Sequence, residues 1–175
     1  MVLKPQDVFI ALKLVALGRR PWTYVQLANE LFMSASEINA GVRRAIRARL
    51  AGPAPGGKGN PVPNLIALTE FLEHGIKYAF PPDRGAITLG VPTAHAAPPL
   101  ADSTAPYEDL PPVWPSPEGR VNGYAYSPLY RSVPQAALAD PRLHELLALV
   151  DAIRDERSRV ANQAVRELRE RLRSA

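Results

Sequence analysis

Twelve of the nineteen prolines in this 175-residue chain fall between Pro81 and Pro134. Proline has no backbone N–H to give a helix or a central strand, and its ring clashes with the preceding helical turn. A helix of ordinary length therefore cannot cross that stretch, and helical patterns are pushed toward the two ends. From about His95 to Pro134 no periodicity stands out. The reading is an extended proline-rich connector that wraps a surface, with the aromatic run "VNGYAYSPLY" packing on the main body.

The N-terminal end reads as a series of short helices. In "PQDVFIALKLVAL" Pro5 suits an early helical position, where its missing N–H would be unpaired anyway. Val8, Leu12, Val15 and Ala16 make an apolar stripe that Ile10, Leu14 and Leu17 widen. "GRRPW" ends this helix, and Thr23 offers a cap for "YVQLANEL". Ser34 and Glu37 then have the S-x-x-E spacing of a capping box, which opens a third helix running to about Leu50. "AGPAPGGKGNPVP" is a loop by composition. A fourth helix follows, with Asn64 as its cap and Gly75 as its stop. "IKYAF" and "AITLGV" are β-like runs joined by "PPDRG", which predicts a hairpin over 76–91. At the C-terminal end Asp140-Pro141 caps a helix with Leu143, Leu146, Leu147, Val150 and Ile153 on one face. A further segment aligns Val160, Ala164, Val165, Leu168 and Leu172. These leucine-bearing faces are candidates for self-association or for packing back on the body.

Charge narrows the partner. The first fifty residues hold eight Lys and Arg against three Asp and Glu, a net of +5, out of +4 for the whole chain. A basic surplus confined to one end predicts an anionic partner there. The chain has no cysteine, which excludes disulfides, thiolate metal sites and cysteine nucleophiles. The sequence contains no run of about eighteen apolar residues and its N-terminus has no secretory pattern, so the expected location is the cytoplasm, at the nucleoid.

Three short helices with a tight connection between the second and third describe a helix-turn-helix. Ala28 is small where the second helix approaches the third, Met33 is apolar in the turn, and Ile38, Gly41 and Val42 continue inward. Here "LANELFMSASEINAGV" resembles the "LAxxLxxSxSxVxxAL" pattern of MarR-type winged helix-turn-helix regulators of bacteria, closely over residues 4–50 and loosely to about 92. The resemblance implies a DNA-binding fold with a wing. Two departures stand out. The turn position usually held by glycine is Phe32, where a left-handed backbone would cost about 1–2 kcal/mol. Family wings also follow the recognition helix closely, whereas a loop and a helix precede the 76–91 hairpin.

At 100° per residue, Ile38, Val42, Ala45 and Ile46 share the inward face of the third helix. Ser36, Ala40, Arg43 and Arg47 share the opposite face, Glu37 and Arg44 flank them, and Asn39 sits on the border. Arginine on such a face can pair with guanine O6 and N7 or with phosphate. Arg49 falls on the apolar side and is expected to snorkel. If 76–91 is the wing, Arg84 at its tip and Lys77 on the preceding strand complete the set. Arg19, Arg20 and Lys58 are further phosphate-contact candidates.

Other signals are weaker. "GPAPGGKG" approaches a phosphate-binding loop, but it follows a helix, precedes "NPVP" and has Gly59 at the hydroxyl position. His74, His95 and His144 have no metal-ligand spacing. The sequence predicts no enzyme, cofactor or metal. The expected fold is mainly α with a small β-hairpin: a winged helix-turn-helix DNA-binding domain over 1–94, the connector over 95–134 and a C-terminal helical assembly region over 135–175. The expected function is sequence-specific double-stranded DNA binding by a homodimeric transcriptional regulator. The alternative is an interaction module that docks a partner protein through its C-terminal region. Residues 72–100 loosely resemble antitoxins of the AbiEi type, which implies a toxin as that partner.

Overall fold

Helix α1 (Pro5–Leu17) is covered on every side. All its residues from Asp7 to Leu17 are buried, so the predicted stripe is only part of a helix wrapped all round. Burial this complete puts two charged side chains, Asp7 and Lys13, out of water, and each must meet an opposite charge. Arg44 forks onto Asp7 with hydrogen bonds of 2.8 and 2.7 Å. Lys13 bridges Glu30 and Asp140, the latter at 2.7 Å. The computed structural model describes residues 1–102, 110–155 and 160–175.

Helices α2 (Tyr24–Leu31) and α3 (Ala35–Arg47) follow α1. A two-residue strand β1 (Ala51–Gly52) then pairs antiparallel with β2 (Val62–Pro63). Helix α4 (Leu65–Glu70) passes through one wide turn at Phe71–Gly75 into α5 (Ile76–Ala79). Gly75 does not stop the helix as predicted. It lies in the wide turn, where a Cβ would stand 2.9 Å from the Phe71 ring. Leu68, Leu72 and Ile76 recur every four residues and are fully buried, and that periodicity carries the helix on to Pro81-Pro82.

The predicted 76–91 hairpin is therefore not formed, because its first half is helical. Its second half lies in strand β3 (Arg84–Pro92), which pairs with partners distant in sequence. Residues 90–92 pair antiparallel with β4 (Pro112–Pro115), and residues 84–90 with β5 (Val121–Tyr126). A short parallel contact between β4 and β5 closes the three strands on themselves. The expectation of a connector without regular elements is thus corrected too, since 95–134 supplies two of these strands. Its prolines serve as acceptors: the Thr93 N–H donates to the Pro112 carbonyl at 3.0 Å and the Tyr124 N–H to Pro111 at 3.1 Å. Closure requires near contact of backbones. A Cβ on Gly90 would lie 2.2 Å from the Trp114 carbonyl oxygen, and one on Gly123 2.0 Å from that of Pro111.

Helices α6 (Val133–Ala139), α7 (Pro141–Arg154) and α8 (Ala161–Arg173) complete the chain. Asp140 caps α7, accepting from the Arg142 and Leu143 amides, with Pro141 in the first helical position. The leucine faces of α7 and α8 are buried, so of the two roles offered for them they take packing back on the body. Asp151 of α7 binds the small sheet. Its carboxylate accepts from Thr93 Oγ1 and Trp114 Nε1, both at 2.8 Å, and from Arg154 at 2.7 Å. The Tyr126 hydroxyl donates to its backbone carbonyl at 2.7 Å. Burial pushes the Asp151 carboxyl up, against the pull of Arg154 and the two neutral donors. One hydrophobic core runs through α1–α8 and β3–β5. The described residues form a mixed α/β fold with two small sheets, richer in strand than the single predicted hairpin.

Asp151→Ala leaves Arg154 buried without its carboxylate and should cost about 3–5 kcal/mol in urea unfolding. A second expectation concerns acid. The buried Glu73 carboxylate takes both arms of Arg169, at 2.5 and 2.6 Å, and this pair holds its carboxyl below the usual range. A depressed folded value means stability present above the unfolded carboxyl's pKa and lost as pH falls through the folded one. Glu73→Gln should therefore flatten the loss of stability below about pH 4, read from urea midpoints across pH.

Candidate nucleic-acid interface

The geometry of α3 begins with how α2 ends. Phe32 has φ 53° and ψ 45°, the left-handed conformation. The Met33 N–H returns to Ala28 O at 3.0 Å, and Met33 is buried. This is a Schellman ending, and it normally favours glycine at the Phe32 position. Phe32 therefore takes the left-handed backbone that glycine would adopt without steric cost. Ser34 then opens α3 through the predicted capping box: its hydroxyl accepts from the Glu37 N–H at 3.2 Å, and the Glu37 carboxylate accepts from the Ser34 N–H at 3.1 Å.

The inward face of α3 carries Ile38, Val42 and Ala45, all buried, with Gly41 facing Ile10 and Asp7 of α1. Ile46, predicted to join them, is 39% exposed, since it lies toward the edge of the stripe in the last turn. On the outward face Ser36, Arg43 and Arg47 are exposed, and Asn39 and Ala40 are half-buried. Among the described residues neither Arg43 nor Arg47 has a carboxylate partner.

The other predicted contacts are already engaged. Arg44 is committed to Asp7, which raises its pKa, and its side chain is only 10% exposed. Glu37 accepts a 2.6 Å hydrogen bond from the Tyr130 hydroxyl, which with the Ser34 contacts holds its carboxyl below the ordinary range. Arg49 is exposed rather than snorkelling. It ends α3 at φ 63°, with its own N–H on Ile46 O and the Leu50 N–H on Ala45 O, both at 2.9 Å, a second Schellman ending.

Sequence β1–β2 follows α3 at once. The loop 53–61 is the tip of that hairpin, not a free loop. Gly56, Gly57 and Gly59 take positive φ, and Lys58 is exposed. Asn60 fixes its base by donating to the Trp22 carbonyl, and the Asn64 N–H reaches Leu50 O at 2.9 Å. Lys77 and Arg84 sit elsewhere. Lys77 is half-buried on α5, 5.0 Å from the Tyr78 ring centroid. Arg84 pairs with Asp155 and lies 4.8 Å over Tyr124. Both line a cavity with Pro81, Pro82, Asp83 and Asp155, on elements separate from α3 and the 51–63 hairpin.

Sequence reading missed that hairpin because its strands are two residues long and carry Pro63 in the pairing. The available signal was the cluster of glycines around one lysine, flanked by prolines on both sides. It also missed Tyr130, whose contact with Glu37 spans ninety-three positions. Among the described residues no group of three or more His, Cys, Asp or Glu could hold a metal, and no helix is long and apolar enough to cross a membrane. Comparison with family models, with curated proteins and with solved structures finds no match to this chain.

Phe32→Gly relieves the left-handed strain and should raise stability by about 1 kcal/mol in chemical denaturation. A loss instead would mean that the half-exposed ring contributes more packing than its backbone conformation costs.

Proposed function

We propose that the chain is a sequence-specific double-stranded DNA-binding regulator of the winged helix-turn-helix type, with α3 in the major groove and the 51–63 hairpin as its wing. The observation that carries this reading is the outward face of α3. Arg43 and Arg47 are exposed and unpaired among the described residues, beside the small side chains of Ser36 and Ala40. Small residues near the start of the helix allow close approach to base edges, and arginines further along can fork onto guanine or hold phosphate. The hairpin supports it, because a glycine-rich tip lets the backbone approach a groove while Lys58 supplies the charge. Ser36, Asn39, Ala40, Arg43 and Arg47 are the proposed base-facing set. Glu37 and Arg44 serve the fold of the helix itself. A homodimer spanning two half-sites would use a surface other than the buried leucine faces of α7 and α8.

The test is selection of duplexes from a random library with the purified chain, followed by anisotropy titrations. Arg43→Ala should cost about 1–3 kcal/mol on the selected duplex and relax preference at one base position. Lys58→Ala should weaken selected and scrambled duplexes alike and reduce the salt slope by about one. Equal, weak and salt-insensitive binding of selected and scrambled duplexes would sink the proposal.

A further inference from the structure

The C-terminal half touches the first turn of α3 at one short step between β5 and α6. Tyr130 donates its hydroxyl to Glu37 Oε1 at 2.6 Å, while its ring stacks against Phe9 of α1, with centroids 6.5 Å apart. Two residues on, the Ser132 hydroxyl donates to the Leu31 carbonyl at 2.7 Å, just before the turn into α3. This segment is thus pinned to the core on one side and to the helix-turn-helix on the other. Arg131 lies between the two pins. It is exposed, and its guanidinium carbon stands 5.6 Å from the Tyr130 ring centroid. No carboxylate among the described residues lies within ion-pair distance of it.

The charges at this spot pose a problem for a groove-facing helix. Glu37 is an acid in the first turn of α3, next to Ser36, and an unscreened carboxylate there would repel a phosphate backbone. Tyr130 occupies one oxygen of that carboxylate and Ser34 the other. Arg131 places a positive charge close by, near enough to act on Glu37. The carboxylate stays ionised, and the step offsets its negative charge with the positive charge of Arg131 at the end of α3 where the nucleic acid would enter. A cation stacked on an aromatic ring also keeps its direction better than one on a free side chain.

We propose that the Tyr130–Arg131 step is part of the DNA interface, with Arg131 contacting a backbone phosphate beside the first turn of α3 and Tyr130 acting as the positioning residue for that turn. This rests on the DNA-binding reading above, and the two can fail separately. The experiment compares wild type, Arg131→Ala and Tyr130→Phe, all as full chains, on a selected and a scrambled duplex over a range of salt.

Arg131→Ala alters only an exposed side chain. It should weaken both duplexes equally, roughly threefold to tenfold at low salt, and reduce the slope of log K against log salt by about 0.9. Tyr130→Phe keeps the ring and loses the hydroxyl. It should leave the salt slope unchanged, lower the selected-to-scrambled ratio several-fold, and speed hydrogen exchange of the Glu37 and Ile38 amides. An unchanged slope and affinity in Arg131→Ala overturns the phosphate contact. An unchanged ratio and unchanged exchange in Tyr130→Phe overturns the positioning role. Wild type that binds neither duplex with steep salt dependence overturns the DNA reading itself, and that result is visible before any substitution is compared.

Discussion

The arrangement of the N-terminal half depends on one carboxylate that has no access to water. Asp7 is fully buried in the first turn of α1, and a buried carboxylate is tolerated only where charge and hydrogen bonds replace its hydration. Arg44 supplies two of those bonds and the Lys4 amide a third, at 2.8 Å. The same contact fixes the rotation of α3 about its own axis. With Arg44 turned toward α1, Arg43 and Arg47 are turned away from it. The outward face of α3 is thus set by an ion pair on its flank as much as by its apolar residues.

The C-terminal half repeats the device around Asp151, with different partners. There the carboxylate gathers a threonine, a tryptophan and an arginine from three directions, and Arg154 continues to the carbonyls of Phe80 and Ser127. This cluster ties a closed three-stranded sheet, too small to hold a core of its own, onto α7. Lys13 links the halves, since it reaches Glu30 near the end of α2 and Asp140 at the cap of α7. Tyr130 and Ser132 make the same connection nearer α3. Helix α3 and the C-terminal body are consequently one mechanical unit, and the angle of α3 is under the control of residues about a hundred positions away.

What could be read from the sequence follows interaction range. The caps at Thr23, Ser34, Asn64 and Asp140, the three N-terminal helices and the buried faces of α7 and α8 all depend on residues within a turn or two of one another, and all are present. The strands were not legible in the same way. β3 alternates too weakly to identify its partners, which lie beyond a proline-rich stretch that looks like a linker. The hairpin after α3 was hidden by its brevity. Gly75 misled because glycine near a helix end is compatible with both a stop and a wide turn, and only the Phe71 ring beside it decides. Arg84, placed by sequence at a wing tip, is drawn instead to Asp155 by a tertiary fold that its neighbours do not encode.

The four arginines between Arg43 and Arg49 show why a count of charges cannot replace their placement. They lie close together at the end of one helix and have the same side chain, yet Arg44 is spent on Asp7 and Arg49 terminates the helix, while Arg43 and Arg47 face solvent. Pairing nevertheless leaves the +5 surplus of the first fifty residues intact. Arg44 cancels against Asp7, and Lys13 against Glu30. The remaining cations, Lys4, Arg19, Arg20, Arg43, Arg47 and Arg49, are all exposed, and the remaining acid, Glu37, is engaged by Tyr130 and Ser34. Burying matched pairs therefore concentrates the surplus at the surface. A long-range field of that sign attracts any polyanion; under the proposed DNA-binding reading, selectivity would come from Arg43 and Arg47 held at a fixed angle by the Asp7–Arg44 pair.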